Sequence, residues 1–183
     1  MIFKKYIFTE DTLKRAELEA SKIPKDLNGS NRKGGGRLLG ILGEFIGLKV
    51  LGGNRVDQDI EDKYHWDIIY GNNTKIDMKS KEFKRELPLQ DKMLYWDCSI
   101  EDFNTEQQCD EYGFVRCFID SSGYKYGYYL GKITKKDFFE KAEFKKKGEK
   151  DSKSGIGGLG PDYYYPSDRH VLSIDHLDQS IPS

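Results

Sequence analysis

One glutamate, Glu44, is the only ionisable residue in the apolar segment LLGILGEFIGL at residues 38–48. A segment this apolar predicts a buried helix, so the rest of the chain must provide layers that cover it. A charge in a buried helix is costly unless it is paired or binds a metal ion. We therefore interpret Glu44 as a functional carboxylate. The alternative is that it lies at the edge of a face that only packs.

The same segment carries glycines at helical spacing, and each costs ~1 kcal/mol relative to alanine in a helix interior. A stripe without side chains permits close approach of a sheet, another backbone or a ligand. Tight helix-to-sheet packing and approach of a ligand both remain open from the sequence. The stripe consists of Gly36, Gly40, Gly43 and Gly47.

Outside this segment the chain reads as a mixture of helices and strands. We predict an amphipathic helix at residues 9–23 with Thr9 as its N-cap, and two strands at 64–70 and 74–81 joined by a turn at 71–73. This order favours one domain over residues 1–183, with an α/β (α+β) sandwich around one mixed sheet. The remaining expected elements are strands near 93–99, 113–119 and 124–133, a short helix from Thr134, a loop at 144–161 and a last element near 171–177.

Composition excludes several classes of protein. With 30 Lys+Arg against 31 Asp+Glu, the chain cannot bind nucleic acid by bulk positive charge alone. No apolar run approaches the ~20 residues that cross a bilayer, and the first residues lack a signal-peptide core. Cys98, Cys109 and Cys117 show no CxxC spacing, which predicts free thiols in a reducing compartment. We expect a cytoplasmic protein, in the host cytoplasm if it is viral, without a membrane partner.

The predicted hairpin carries charged side chains at positions that suggest chemistry. With a three-residue turn, Tyr70 pairs with Thr74 and Asp67 lies directly across from Asp77. Cross-strand Cβ atoms are ~5 Å apart, and like charges there are destabilising without a cation, a shared proton or solvent. Lys79 follows on the same face as Asp77. A two-residue turn would move Asp77 away from the face of Asp67, so the register is an assumption.

Two facing aspartates suit a hard divalent cation. Mg²⁺ prefers carboxylate oxygens and water, and it can polarise a phosphodiester oxygen and lower the pKa of a bound water. An adjacent lysine such as Lys79 can stabilise the charge that develops. The alternative is a hairpin with ordinary solvated charges. Because the Asp-x-Lys tripeptide arises easily by chance, that tripeptide alone favours this alternative.

Taken in chain order, Glu44, Asp67 and Asp77-Met78-Lys79 resemble the motifs of the PD-(D/E)XK nuclease superfamily, including its small phage-type members. His65-Trp66-Asp67 replaces the Pro-Asp of that family. The resemblance implies a restriction-endonuclease-like fold, with a mixed central sheet flanked by helices. It also implies that Glu44, Asp67, Asp77 and the Met78 carbonyl hold Mg²⁺ or Mn²⁺ while Lys79 assists the attacking water. The implied activity is metal-dependent phosphodiester hydrolysis, with a DNA endonuclease as the expectation.

Further candidates for nucleic-acid contact are Arg32, Lys33, Arg37, Lys81 and Gln108. The first three flank a glycine-rich loop before the acidic helix, where they could contact phosphates; a solvated loop is an equal alternative. Some members of the family carry Gln-x-x-x-Tyr after the lysine, and Gln108 and Tyr112 fit that spacing. A surface or helix-cap role is the simpler interpretation of Gln108.

Other functions and partners remain open from the sequence. DNA is the expected partner, RNA is an alternative, and a homodimer is compatible with the resemblance. The protein could instead be a catalytically inactive nucleic-acid-binding module of the same fold, or a protein-interaction domain with an incidental charged hairpin. Four tyrosines of the strand at 124–133 could stack on bases, although strand packing explains them more simply.

Overall fold

The computed structural model describes residues 3–22, 35–56, 66–84, 97–151 and 164–180. The α-helices are α1 (Glu10–Lys22), α2 (Gly35–Leu51) and α3 (Lys135–Lys141). The first strands are β1 (Lys5–Ile7), β2 (Asn54–Arg55), β3 (Ile68–Tyr70), β4 (Thr74–Phe83) and β5 (Asp97–Glu101). The later strands are β6 (Glu111–Asp120), β7 (Gly123–Thr134), β8 (Glu143–Lys145) and β9 (Arg169–Ser173). Short 3₁₀ helices occupy Asp102–Glu106 and Ile174–His176.

The larger sheet is mixed. Its six strands run in the order β1-β7-β6-β4-β3-β2. β4 and β6 are parallel, and the other neighbouring strands are antiparallel. The prediction of a mixed α and β fold is therefore confirmed at this level.

The prediction of one sheet is wrong, because β5, β9 and β8 form a second sheet of three strands. Ile100 of β5 pairs with His170 of β9, far away in the sequence. The segment predicted as a loop at 144–161 begins inside β8 (Glu143–Lys145). The pairing is formed between distant segments, so no local pattern marks it.

Helix α2 packs closely against one face of the larger sheet. A Cβ atom added at Gly47 would lie 2.9 Å from Ile68 Cδ1 and 2.9 Å from Met78 Sδ, and one at Gly43 would collide with Ser80 Oγ. Side chains at these two positions would push the helix away from the sheet. Tight helix-to-sheet packing is thus confirmed for Gly43 and Gly47.

The other face of this sheet carries aromatic side chains, which pack with α3 and the second sheet in one buried cluster. Tyr126 stacks on Phe118 with ring centroids 4.9 Å apart. Tyr126 and Tyr128 of β7 are buried in this cluster, and Tyr124 and Tyr129 are buried on the α2 side of the sheet. Strand packing therefore accounts for them, and base stacking does not.

The predicted starts of two helices are confirmed. Thr9 Oγ1 accepts a hydrogen bond of 3.2 Å from the N–H of Thr12 at the start of α1, and Thr134 Oγ1 accepts one of 3.1 Å from Asp137 at the start of α3. All three cysteines are free and buried. Within the described ranges, no helix combines the length and apolarity needed to cross a bilayer.

Candidate active site

The turn between β3 and β4 has three residues, as predicted. Gly71 and Asn73 adopt positive φ angles of 52° and 63°, and Tyr70 pairs with Thr74. Ile68 pairs with Ile76, so the same register continued by one residue places Asp67 opposite Asp77. The hairpin brings the two aspartates together because the turn length preserves their common face.

Asp67 is the electrostatic centre of the site. Its side chain is buried, and its Oδ2 accepts a hydrogen bond of 2.6 Å from the backbone N–H of Met78. Burial raises the pKa of Asp67 well above its usual value, and the nearby carboxylates of Glu44 and Asp77 raise it further. Glu44 on α2 and Asp77 on β4 therefore both act electrostatically on Asp67 at the start of the hairpin.

Lys79 lies beside Asp77 on β4. Its Nζ is 2.6 Å from Asp77 Oδ2, and it donates a hydrogen bond of 2.9 Å to Gln107 Oε1. The Asp77 Oδ2 atom is buried and, within the described residues, accepts no hydrogen bond of good geometry despite this ion-pair distance. Gln107 thus orients the ammonium group, while one oxygen of Asp77 retains capacity for a ligand.

Glu44 is held by a cation from the edge of the larger sheet. The glutamate is only 6% exposed, and its Oε2 accepts a hydrogen bond of 2.6 Å from Arg55 Nε. Arg55 also lies 3.3 Å from Glu19 Oε2 on α1. The chain of charges from Glu19 through Arg55 to Glu44 offsets part of the cost of burying the glutamate.

The acids are not already arranged as a closed metal site. Within the described residues, no three His, Cys, Asp or Glu side chains form a group that could hold an ion as they stand. The reason is that Glu44 is turned toward Arg55 and Asp77 toward Lys79. The donor types nevertheless fit a hard divalent cation, which prefers carboxylate oxygens. The buried Asp77 Oδ2 is the atom whose coordination such an ion would complete.

Met78 lies between Asp77 and Lys79 on β4. Its side chain is buried and packs toward Gly47 of α2. Its N–H donates a hydrogen bond to Asp67. Its backbone carbonyl is the group that could bind an ion.

The predicted nucleic-acid contacts have different positions. Arg32, Lys33 and also His65 lie outside the described residues. Arg37 is partly buried in the first turn of α2, and Gln108 is exposed. Lys81 is also partly buried, and it donates a hydrogen bond of 2.5 Å to Ser99 Oγ on the second sheet.

Sequence reasoning missed Gln107 and Arg55. Gln107 is buried and contacts Lys79, whereas the residue singled out, Gln108, points to solvent. The two glutamines are adjacent, and they follow a 3₁₀ helix whose period differs from that of a strand or an α-helix. Arg55 lies on a strand of two residues, too short to show periodicity.

No protein-family model and no curated protein matches this chain.

Proposed function

We propose that the protein is a metal-dependent nuclease with a restriction-endonuclease-like fold of the PD-(D/E)XK type, and that it hydrolyses phosphodiester bonds of DNA. The observation that carries this proposal is that two buried acids, Glu44 and Asp77, act on a third, Asp67, and that the ammonium group of Lys79 lies beside Asp77. The mixed sheet with α2 packed on it is compatible with that fold.

The energetic cost of this arrangement supports a functional site. Glu44, Asp67 and Asp77 are each no more than 6% exposed, and burying charges of one sign together is destabilising. A purely structural hairpin could place neutral side chains at these positions without that cost. Groups with strongly shifted pKa values, such as Asp67, are concentrated at functional sites.

Each residue of the site has a role in the proposed reaction. Glu44, Asp67, Asp77 and the Met78 carbonyl would hold Mg²⁺ or Mn²⁺, which when bound polarises the phosphodiester and lowers the pKa of a water. Lys79 stabilises the negative charge that develops on the phosphoryl oxygens. Gln107 holds the ammonium group of Lys79 in position through its Oε1.

Cleavage assays test the proposal directly. Supercoiled plasmid, single-stranded DNA and RNA are incubated with Mg²⁺ or Mn²⁺ and the wild-type protein, Asp77→Asn or Lys79→Ala. Glu10→Gln and Lys14→Ala are matched controls, because this exposed ion pair lies on α1. We expect cleavage of DNA by the wild type and both controls, with a loss of at least about 100-fold in the two site variants. Equal cleavage by all five proteins would remove the proposed site.

Metal binding can be measured without cleavage. An ion that binds only the folded protein stabilises it by about 2.7 kcal/mol at 100 times its dissociation constant. We expect Mn²⁺ to raise the melting temperature of the wild type and of Glu10→Gln, but not that of Asp77→Asn. Absence of any shift in the wild type would contradict a metal-dependent reaction at this site.

A further inference from the structure

A second group of charges, all positive, lies next to the proposed site along the same strand. In the parallel ladder between β4 and β6, Lys81 pairs with Arg116. Arg169 reaches the same place from the second sheet, with its Nη1 3.4 Å from Ser99 Oγ. Lys81 donates to that same hydroxyl. The cationic cluster therefore consists of Lys81, Arg116 and Arg169 around Ser99.

Two neighbouring residues, Glu101 and Asp97, contact the cations of this cluster. Glu101 Oε1 lies 3.2 Å from Arg169 Nη2, and Arg116 Nη2 donates a hydrogen bond of 2.5 Å to the backbone oxygen of Asp97. The carboxylates of Glu101 and Asp97 therefore offset part of the positive charge of the three cations. Like charges at paired positions of a ladder are destabilising.

Burial adds to the cost of the cluster. Arg169 is only 6% exposed, while Lys81 and Arg116 are partly buried. Burial lowers the pKa of Lys81 to about 7, and the charges of Arg116 and Arg169 contribute to this decrease. An anion bound among these groups would relieve the repulsion.

The chemistry of the cluster suits a phosphate group. Guanidinium groups match phosphate oxygens with two parallel hydrogen bonds, and a lysine ammonium adds a point charge. Ser99 contributes a hydroxyl that can donate to the same anion. Lys81 lies two residues beyond Lys79 on the same face of β4, about 7 Å along the strand. That distance corresponds to about one nucleotide step of an extended chain.

We infer that Lys81, Arg116 and Arg169, gathered around Ser99, bind the phosphate of the nucleic-acid strand that is adjacent to the phosphate being cleaved. The inference rests on the proposed nuclease function. It assigns the cluster to substrate positioning, in line with the role of backbone phosphate contacts in fixing register.

Binding measurements without divalent metal test the cluster separately from cleavage. The affinity for a single-stranded oligothymidine is measured in EDTA at several salt concentrations for the wild type, Lys81→Met, Arg116→Met and the control Lys136→Met, whose lysine is exposed on α3. We expect each cluster variant to bind five- to tenfold more weakly. Its salt slope should also fall by about 0.7, the value for one phosphate contact on a single strand.

Stability and competition complete the test. Lys81→Met removes a repulsive charge, so its melting temperature should be no lower than that of the wild type. If Arg116→Met fails to fold, the affinity of Lys81→Met alone tests the inference. Inorganic phosphate should compete with the oligonucleotide for the wild type. Unchanged affinity and salt slope in Lys81→Met would overturn the inference even if DNA is cleaved. Binding of phosphate but not of oligonucleotide would also overturn it.

The two proposals fail in different ways. If the wild type does not cleave DNA but Lys81→Met still binds the oligonucleotide more weakly, the nuclease proposal is contradicted. The cluster then binds phosphate, but no neighbouring bond is cleaved. If the wild type and Lys81→Met cleave DNA equally well with the same KM, the nuclease proposal stands and the cluster does not bind substrate.

Discussion

The Asp67 carboxylate accepts its hydrogen bond from the backbone N–H of Met78, the residue between Asp77 and Lys79. This bond fixes the first aspartate of the hairpin against the strand that carries the other two groups. It favours the charged form of Asp67, but burial and the two nearby acids outweigh it, since the pKa of Asp67 is raised overall.

Asp67→Asn should stabilise the metal-free protein at neutral pH. Since the folded state raises the pKa of Asp67, it binds more protons than the unfolded state above pH ~3.9, the ordinary value for Asp. Stability contributed by the protonated carboxyl is lost as pH rises through that window. Asparagine removes the charge and can still accept from Met78.

Melting temperatures from pH 4 to pH 8 in EDTA measure this effect. The variant should melt higher than the wild type at pH 8, with a difference that shrinks toward pH 4. If Asp67→Asn melts lower than the wild type across this whole pH range, the charge of Asp67 does not destabilise the folded protein.

Arg55→Met should destabilise the protein by about 2 kcal/mol, because it leaves the buried Glu44 carboxylate without its cation. This is below the value for a fully buried pair, since the Arg55 side chain is 21% exposed. Adding Glu44→Gln should restore much of the loss. Denaturant titration of both single variants and the double variant measures the coupling.

Lys49→Met is a suitable control for Arg55→Met, since Lys49 is an exposed cation on α2. It should change stability by less than about 0.5 kcal/mol. Strictly additive effects of Arg55→Met and Glu44→Gln would contradict a direct interaction between the two side chains.

Gln107→Ala should lower kcat about tenfold with little change in KM, because it releases the ammonium group of Lys79 from its position. Gln108→Ala is the matched control, and we expect it to retain full activity since its side chain is exposed. Steady-state kinetics on one DNA substrate separate the two parameters. An equal loss in both variants would rule out specific positioning by Gln107.

Gly43→Ala should destabilise the protein by about 1–2 kcal/mol, because the added methyl group collides with Ser80 Oγ. In a Ser80→Ala background the collision is reduced, and the higher helix propensity of alanine should offset most of the loss. Chemical denaturation of the four proteins in this cycle provides the test. A Gly43→Ala cost that is independent of residue 80 would contradict the proposed contact.

The sequence allowed the hairpin to be predicted because its determinants are local. Gly71 and Asn73 adopt positive φ angles, which glycine and asparagine tolerate. The length of the turn then sets the register of Asp67 and Asp77. Glu44 could be singled out because a charge stands out within an apolar helix. The capped helices at Thr9 and Thr134 were predictable for the same local reasons.

The features that could not be predicted depend on distant partners. The second sheet joins β5 to β9 across most of the C-terminal half of the chain, and Lys81 meets Arg116 only through the parallel ladder of β4 and β6. No sequence pattern near Lys81 predicts its contact with Arg116. Arg55 and Gln107 likewise reach Glu44 and Lys79 through tertiary packing, which leaves no pattern in the local sequence.

The parallel ladder has a consequence for the timing of synthesis. Ile76 of β4 pairs with Glu111 of β6, about 35 residues later, and ribosomes add ~5–20 residues per second. The central strand therefore waits roughly 2–7 s for its neighbour. Lys5 of β1 waits longer still, since its partner is Tyr128. The nascent chain consequently contains α2 and the β3–β4 hairpin before β6 and β7 are available to pack with them. The larger sheet can be completed only late in translation.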